Sequence, residues 1–255
     1  MLGTVQENLV SCWKSLHAKG YQYLSKNGFT YCFSEVDFPL FNSILEVPNP
    51  NNSSYLETLI TQYKKRNNSH LFWIPEHYEP HYKPILEKNN YQYFDQIHAI
   101  VFDLNKYSLN DLKPYTNLGT KIISHQEFTN KWSPLAKKVY ELSNEVASFF
   151  HQLQLSTLDN THWKNYIYSE NNTHISCLSM FQGNNKTAGI YNGGTLPSHR
   201  KKGIMTNLIK RSLYEAKIAG NEKVIAQANN QSLRLCKKLG GNIVGNYKLY
   251  LYQPK

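Results

Sequence analysis

The spacing of apolar residues separates stretches with helical periodicity from stretches typical of strands. Recurrence every three or four residues predicts helices, and short runs rich in β-branched and aromatic residues between turn signals predict strands. In the first half of the chain this pattern predicts a helix at 6–18, strands at 29–33 and 40–45, a helix at 55–63, a strand at 70–74, a helix at 78–88 and a long strand at 91–104.

The same criteria give a regular second half. They predict a strand at 122–123, a largely helical stretch at 124–148 that is interrupted near Pro134, a helix at 161–168, antiparallel strands at 175–181 and 187–195, a helix at 204–219, a strand at 223–228, a helix at 231–239 and a strand at 243–252. Gly220 follows the helix at 204–219, where a left-handed residue commonly ends a helix.

The two halves end alike. Residues 55–104 and residues 204–252 both run helix, strand, helix, long strand at similar spacing. Either the chain carries a weak internal duplication, or two α/β segments coincide by chance. With the polar stretch 105–120 as a linker, the first alternative predicts a domain at 1–104 and a second at 121–255.

The composition indicates a folded protein, and its cysteines and histidines limit which metal and disulfide sites are expected. Its 255 residues are 40% apolar and 13% aromatic, which is typical of globular proteins. The four cysteines are far apart and lack metal-ligand spacing, so neither a disulfide framework nor a zinc site is expected. His77 and His81 have helical spacing, but Pro80 lies between them, and we predict no metal there. The sequence shows no signal peptide or apolar run of membrane-spanning length, which predicts a cytoplasmic protein.

The net charge of +10 is concentrated at one end of the chain. Residues 1–100 carry eight Lys and Arg against nine Asp and Glu, whereas residues 199–255 carry twelve against two. Most of these side chains form a solvated basic face. A concentrated positive field still favours an anionic ligand, and both nucleic acid and a phosphorylated cofactor fit this requirement.

A basic turn before the helix at 204–219 is the strongest chemical signal. Arg200, Lys201 and Lys202 precede Gly203. The free N–H groups and positive dipole end of a helix N-terminus bind phosphate, and a glycine lets the backbone approach it without a Cβ. Basic turns before helices are common, so this turn alone indicates only an anion.

The surroundings of this turn resemble those in the GCN5-related N-acetyltransferase (GNAT) family. Residues 188–209 look like the family's fourth strand, bulge and pyrophosphate loop, and Arg200, Gly203 and Met205 occupy the fixed positions of its motif Gln/Arg-x-x-Gly-x-Gly/Ala. Residues 229–240 are similar to the family's Asn-x-x-Ala/Ser-x-x-Leu-Tyr-x-x-Leu-Gly element. The resemblance covers about residues 120–255. Residues 1–104, which have no glycine loop before the helix at 55–63, look like the degenerate N-terminal domain of two-domain members.

The resemblance implies an α/β fold with a mixed, mostly antiparallel sheet flanked by helices. It also implies acetyl-CoA or coenzyme A as co-substrate, bound by Thr195, Leu196, Arg200, Lys201, Lys202, Gly203, Ile204, Met205, Thr206, Asn229 and Ser232. The thioester would lie where the strand around 193–195 splays from the strand around Ala226. A backbone N–H near Leu196 would stabilise the oxyanion, and a neutral amine would attack directly.

Three departures from the family pattern bear on catalysis. Met205 replaces the last small residue of the loop, and Gly241 stands where the family prefers Phe. Cys236 occupies the position of the tyrosine that protonates the leaving thiolate, so it is either a replacement acid or a small buried residue. Tyr191 is the candidate base on the fourth strand, although such a position is more often structural. Glu35 and Asp37 either face the cleft or serve as turn residues.

These observations predict an N-acetyltransferase that acts on an amine of a small molecule or a protein. The alternative is a catalytically weak coenzyme-binding regulatory protein on the same fold. A nucleic-acid-binding C-terminus is disfavoured, because the basic residues already have a use around the coenzyme phosphates. If the N-terminal half stands in for a second subunit, the protein is expected to be a monomer. The acceptor remains open.

Overall fold

The computed structural model describes residues 1–52, 54–113, 120–122, 125–157 and 160–254. The helices in these ranges are α1 Leu2–Lys14, α2 Leu56–Lys65, α3 Glu79–Lys88, α4 Leu109–Leu112, α5 His125–Tyr140, α6 Asn144–Leu155, α7 Ile204–Ile218 and α8 Asn230–Lys238. The strands are β1 Gln22–Lys26, β2 Phe29–Phe33, β3 Ser43–Glu46, β4 His70–Pro75, β5 Gln92–Asp103, β6 Thr120–Ile122, β7 Trp163–Glu170, β8 Thr173–Gln182, β9 Thr187–Thr195, β10 Lys223–Ala228 and β11 Asn242–Tyr252.

These strands form one mixed, mostly antiparallel sheet in the order β1-β2-β3-β4-β11-β5-β10-β9-β8-β7-β6. The last strand of each half has crossed to the other half. β11 lies between β4 and β5, and β5 lies between β11 and β10. Each half of the chain therefore supplies a strand that completes the other half of the sheet.

Helices cover both faces of the sheet, and the alternation of side chains along each strand assigns the buried residues to one face or the other. One face, which we call the α1 face, packs α1, α5 and α6 against residues such as Trp163, Cys177 and Ala99. The opposite α7 face packs α4, α7 and α8 against Ile190 and Ala226, and α2 and α3 cover its N-terminal part. None of the helices in the described ranges is long and apolar enough to cross a membrane.

Both halves contain a parallel strand pair next to a bulge. β3 pairs in parallel with β4 only as far as Ile44 and Phe72, and β9 pairs in parallel with β10 only as far as Ile190 and Ala226. Each first strand of the pair has one extra residue against its antiparallel neighbour just beyond this point. This repeated irregularity supports the internal duplication that the element order predicts.

Several sequence predictions need correction. Residues 161–168 are not a helix, because β7 occupies Trp163–Glu170. Because the aromatic and apolar residues of β7 are buried on both faces of the sheet, its sequence lacks the alternation of apolar and polar residues that identifies a half-buried strand. Pro134 lies inside α5 without ending it, and the helix instead ends before Glu141, whose φ is 53°. β1 was not predicted, and residues 105–120 contain the short helix α4, which packs on α7.

Candidate active site

A gap opens in the sheet where β9 and β10 separate. Beyond the last parallel pair, Ile190 and Ala226, β9 bulges, so that Tyr191 lies opposite Ser179 while Gly194 lies opposite Cys177. Asn192 takes a positive φ of 53° within the bulge. A bulge bends its strand and increases the local twist, which turns β9 away from β10 and leaves room for a ligand between them.

The loop that follows β9 ends in a run of free backbone donors. Gly203 has a φ of 79° and is the N-cap of α7, and no side chain caps this helix. Lys201 also has a positive φ, of 63°. Among the described residues, none accepts a hydrogen bond from the backbone N–H groups of residues 201–206. These donors lie at the positive end of the α7 dipole, which is the arrangement that binds phosphate.

The side chains of the loop play different parts. Lys201 and Lys202 are exposed and free to approach a phosphate. Arg200 instead donates from Nε to the Thr195 carbonyl at 3.1 Å, which ties the loop to the end of β9.

A Cβ on Gly193 would lie 3.5 Å from the Met205 sulfur. The Met205 side chain therefore lies next to the bulge, at a distance that a Cβ on residue 193 would also tolerate. Ile204 is buried in the α7 core, whereas Thr206 is only partly buried.

The end of β9 offers a backbone donor one residue from the predicted one. Leu196 donates its N–H to the Ile175 carbonyl on β8 at 2.9 Å, so this group is already in use. Consecutive residues of a strand direct their backbone groups to opposite edges. The N–H of Thr195 therefore faces the gap, and it is the better candidate for an oxyanion donor. The Thr195 hydroxyl is held at 2.8 Å from the Ser176 hydroxyl.

The start of α8 forms the other wall of the gap. Asn229 caps this helix by accepting the Ser232 N–H at 3.1 Å, and its side chain also lies 2.9 Å from the Ser232 hydroxyl. The next residue, Asn230, lies 3.1 Å from Nε2 of His98, whose other ring nitrogen lies 2.8 Å from Asn246. His98 belongs to β5, so the N-terminal half contributes to this wall. No local sequence pattern marks His98, so its place in this wall follows only from the fold.

Of the two predicted proton-transfer residues, Tyr191 is half-buried and Cys236 is buried, and both are neutral. The Tyr191 hydroxyl donates to Asn8 Oδ1 at 2.6 Å, and burial raises its pKa well above the usual range. Burial also raises the pKa of Cys236, to about 11, and the thiol packs in the α7 core. These values favour neither a tyrosinate base nor a cysteine acid near neutral pH.

The two predicted acidic side chains in the N-terminal half have local contacts. Asp37 accepts the Ser69 N–H at 2.6 Å, and Glu35 lies against Gly20. By contrast, Tyr140 at the end of α5 reaches the gap, because a Cβ on Gly194 would lie 3.1 Å from its hydroxyl. Tyr140 is 37% exposed as a whole residue, but desolvation of its hydroxyl raises its pKa well above the usual range, so the phenol remains a hydrogen-bond donor. α5 and β9 are far apart in the sequence, so no pattern along the chain predicts this contact.

No metal centre is evident in the described part of the chain, where no group of three His, Cys, Asp or Glu side chains could hold an ion. The His77 ring lies tilted against the Tyr78 ring, with the ring centroids 4.1 Å apart. The arrangement as a whole can hold a phosphorylated ligand on the α7 face and pass its other end through the gap to the α1 face.

Comparison with known proteins agrees with this geometry. Residues 127–241 match the model of the acetyltransferase (GNAT) family, while no curated protein matches the chain by sequence. A GCN5-related N-acetyltransferase from Kribbella flavida aligns with a TM-score of 0.68 at 10% identity, covering 99% of this chain and 95% of its own.

Two further solved structures align over nearly the whole chain. A tandem GNAT protein from the clavulanic acid biosynthesis pathway gives a TM-score of 0.66 at 11% identity, covering 97% of this chain and 88% of its own. A conserved protein of unknown function from Staphylococcus epidermidis gives 0.66 at 13% identity, covering 95% and 98%. At these identities the likeness shows a shared fold.

Proposed function

We propose that this protein transfers an acetyl group from acetyl-CoA to the amine of an acceptor, because residues 127–241 match the model of the acetyltransferase (GNAT) family. The observation that carries the proposal is the run of free N–H donors at 201–206, beside the gap between β9 and β10. The coenzyme pyrophosphate binds these donors, with Lys201 and Lys202 around it. The pantetheine arm then follows the gap past Asn229 and Ser232.

The reaction is a direct displacement at the thioester carbon. The lone pair of a neutral amine forms the new C–N bond, the C–S bond breaks, the amine loses one proton, and the coenzyme thiolate takes up one proton. The Thr195 N–H, which faces the gap, stabilises the carbonyl oxygen as negative charge develops. Residues 191–195 carry no carboxylate, so catalysis relies on positioning and on proton transfer to water.

We also propose that residues 1–104 are a degenerate copy of the catalytic domain at 121–255, joined to it by residues 105–120. The matching bulges and parallel pairs support this division. The loop between β3 and α2 contains no glycine, and the Tyr82 hydroxyl donates to the Pro48 carbonyl there at 2.8 Å. We therefore expect one coenzyme per chain, and a monomer in which the first half replaces a second subunit.

The test is coenzyme binding followed by transfer. Isothermal titration with acetyl-CoA and with coenzyme A should give one site per chain, and ligand at about 100 times its Kd should stabilise the native state by about 2.7 kcal/mol. Release of free thiol in the presence of an amine panel then measures transfer. Absence of binding at millimolar acetyl-CoA would rule out the proposal.

A second candidate function is coenzyme-dependent regulation without efficient transfer. The burial of Cys236, with its pKa raised to about 11, favours it because a thiol with so high a pKa is a weak acid towards the departing thiolate. Tight coenzyme binding together with thiol release no faster than acetyl-CoA hydrolysis, for every amine, would favour this function over acetyl transfer.

A further inference from the structure

A row of polar side chains crosses the α1 face at the level of the gap. Asn165 on β7 pairs with Ser179 on β8, and Ser179 pairs with Tyr191 on β9. Gln227 is the first residue of β10 beyond its last pairing with β9. Across β5, where Gln227 lies opposite Ala99, the row ends at Tyr247 of β11. We call these five residues the polar row.

Four buried side-chain atoms of the polar row lack a hydrogen-bond partner among the described residues: Asn165 Oδ1, Ser179 Oγ, Gln227 Nε2 and the Tyr247 hydroxyl. Ser179 and Tyr247 are fully buried, and Asn165 is 9% exposed. A buried polar group without a partner destabilises a protein substantially, and buried polar groups are rarely left so. All four atoms are closed to solvent in this structure, so a polar ligand that meets them has to displace part of the layer that covers them.

The polar row lies where an acceptor must be to meet the thioester. Tyr191 and Gln227 immediately follow Ile190 and Ala226, the last paired residues on either side of the gap. Ile190 and Ala226 point to the α7 face, where they pack with α7. Strand alternation then directs Tyr191 and Gln227 to the α1 face. A coenzyme held by the loop on the α7 face would therefore present its acetyl group to the polar row through the gap.

The polar row is covered by helices, which limits the size of a ligand. α1 crosses β9, β10 and β5 on this face, and Asn8 of α1 reaches down to the Tyr191 hydroxyl. Gly189 leaves the space that Asn8 needs, because a Cβ there would lie 2.2 Å from Asn8 Oδ1. Because α1 covers the row, we take the acceptor to be a small molecule, which displaces less of this helix than an extended polypeptide would.

The chemistry of the polar row selects among small amines. Its unpartnered atoms are an amide oxygen, an amide nitrogen and two hydroxyls, and none of its five side chains is charged. Resting on the proposed acetyl transfer, we propose that the polar row binds the acceptor, and that the acceptor is a small amine that carries hydroxyl groups. Each hydroxyl both donates and accepts, so it can satisfy an amide oxygen and an amide nitrogen alike.

Matched acceptors test this proposal. The probes are serinol and glucosamine, their apolar counterparts 3-aminopentane and cyclohexylamine, and a short lysine peptide. We expect kcat/KM to be at least about tenfold higher for each hydroxylated amine than for its counterpart, since one or two good hydrogen bonds suffice for that ratio. A preference for the apolar amines or for the peptide would overturn the proposal.

Two variants connect the preference to the polar row. Ser179→Ala and Gln227→Leu should raise KM for serinol by about tenfold, and should lower the ratio of kcat/KM for serinol to kcat/KM for 3-aminopentane by a similar factor. Ser212→Ala is the matched control, because Ser212 is equally buried but donates to the Ile209 carbonyl within α7. Equal serinol KM values in all four proteins, each checked for an unchanged melting temperature, would contradict the assignment.

Direct binding separates this proposal from acetyl transfer itself. If coenzyme A binds but no amine is acetylated, acetyl transfer fails, and serinol binding to the coenzyme A complex, measured by NMR titration, decides the matter. Binding that Ser179→Ala weakens supports the polar row as a ligand site. No binding of serinol or glucosamine would overturn it.

Discussion

At the scale of single residues, Gly203 and Gly220 form a natural pair for comparison. Their φ angles are 79° and 80°, and a Cβ on either would meet open space. An alanine at either position should therefore destabilise the fold by a similar amount, about 1–2 kcal/mol, through backbone strain alone. Only Gly203→Ala also places a methyl group beside the free donors of the coenzyme loop.

We therefore expect Gly203→Ala to weaken acetyl-CoA binding by about tenfold or more, and Gly220→Ala to leave it unchanged. Titration calorimetry gives the affinities, and urea unfolding gives the two stabilities. If both variants bind acetyl-CoA as the unmodified protein does, the loop does not hold the coenzyme phosphates.

His70 makes the stability of the N-terminal half depend on pH. Its ring is fully buried, with Nδ1 at 2.8 Å from the Asn68 carbonyl and Nε2 at 2.5 Å from the Tyr91 hydroxyl. Because a carbonyl only accepts, Nδ1 carries the proton, and Nε2 accepts from the tyrosine. Burial lowers the pKa of His70 from 6.5 to about 4, since desolvation disfavours the charged ring.

Between those two values the unfolded chain binds more protons than the native protein at this residue. The contribution of His70 is therefore fully present above about pH 6.5 and is lost as the pH falls towards 4, by about 3 kcal/mol at most. His70→Gln, which keeps a donor and an acceptor but does not titrate, should remove that part of the pH dependence in urea unfolding. His162→Gln, at an exposed histidine, is the control, and a constant difference between His70→Gln and the unmodified protein across pH 7 to 4.5 would contradict the assignment.

At the scale of elements, the docking of α1 depends on a glycine in β9. A Cβ at Gly189 would lie 2.2 Å from Asn8 Oδ1 and 2.5 Å from the Tyr191 ring. We expect Gly189→Ala to displace α1 and to destabilise the protein by about 1–3 kcal/mol, because overpacking a buried site forces its neighbours apart. Gly3→Ala within α1, where a Cβ meets nothing, should instead stabilise the helix by about 0.5–1 kcal/mol.

Thermal and urea unfolding compare these two variants directly, and hydrogen exchange of the α1 amides localises the effect. Faster exchange confined to α1 in Gly189→Ala would be the signature of its displacement. Two variants of equal stability would show that α1 does not rest on Gly189.

The elements around the coenzyme loop were predictable because local signals set their ends. α7, β10, α8 and β11 lie within one or two residues of their predicted bounds, since Gly203 and Gly220 take positive φ and Asn229 supplies a side-chain cap. β7 was missed because it is buried on both faces and lacks polar alternation. Sequence patterns therefore predict the elements whose ends are set by local caps, and they miss the elements that are set by tertiary packing.

The same distinction applies within the candidate site. The loop at 200–206 is contiguous, so its residue types and order indicated an anion before the fold was known. The polar row takes its five residues from five strands, and His98 and Tyr140 reach the gap from distant elements. Their juxtaposition follows from strand order, which residue patterns along the chain do not encode.

At the scale of the whole molecule, the exchanged strands make the two halves interdependent. β10 pairs with β5 over six residues, Lys223–Ala228 against His98–Asp103. β11 fills the place between β4 and β5. If the halves were cut apart, β10 would lose its neighbour on one side and β4 would lose β11. Each fragment would then expose unpaired backbone groups at a strand edge, together with apolar side chains that the other half now covers.

We therefore expect that residues 1–104 and residues 105–255, produced separately, do not reach the native state, and that residues 105–255 alone do not bind acetyl-CoA. Co-expression of the two fragments should restore a one-to-one complex that binds the coenzyme, because the pairing of β5 with β10 and of β11 with β4 does not need a covalent connection. Circular dichroism, NMR dispersion and titration calorimetry would compare the fragments, the complex and the intact chain. If residues 105–255 alone were folded and bound acetyl-CoA with the affinity of the intact chain, the wall formed by β5 and His98 would not be part of the coenzyme site, and the first half would be an appended domain instead of an integral part of the catalytic unit.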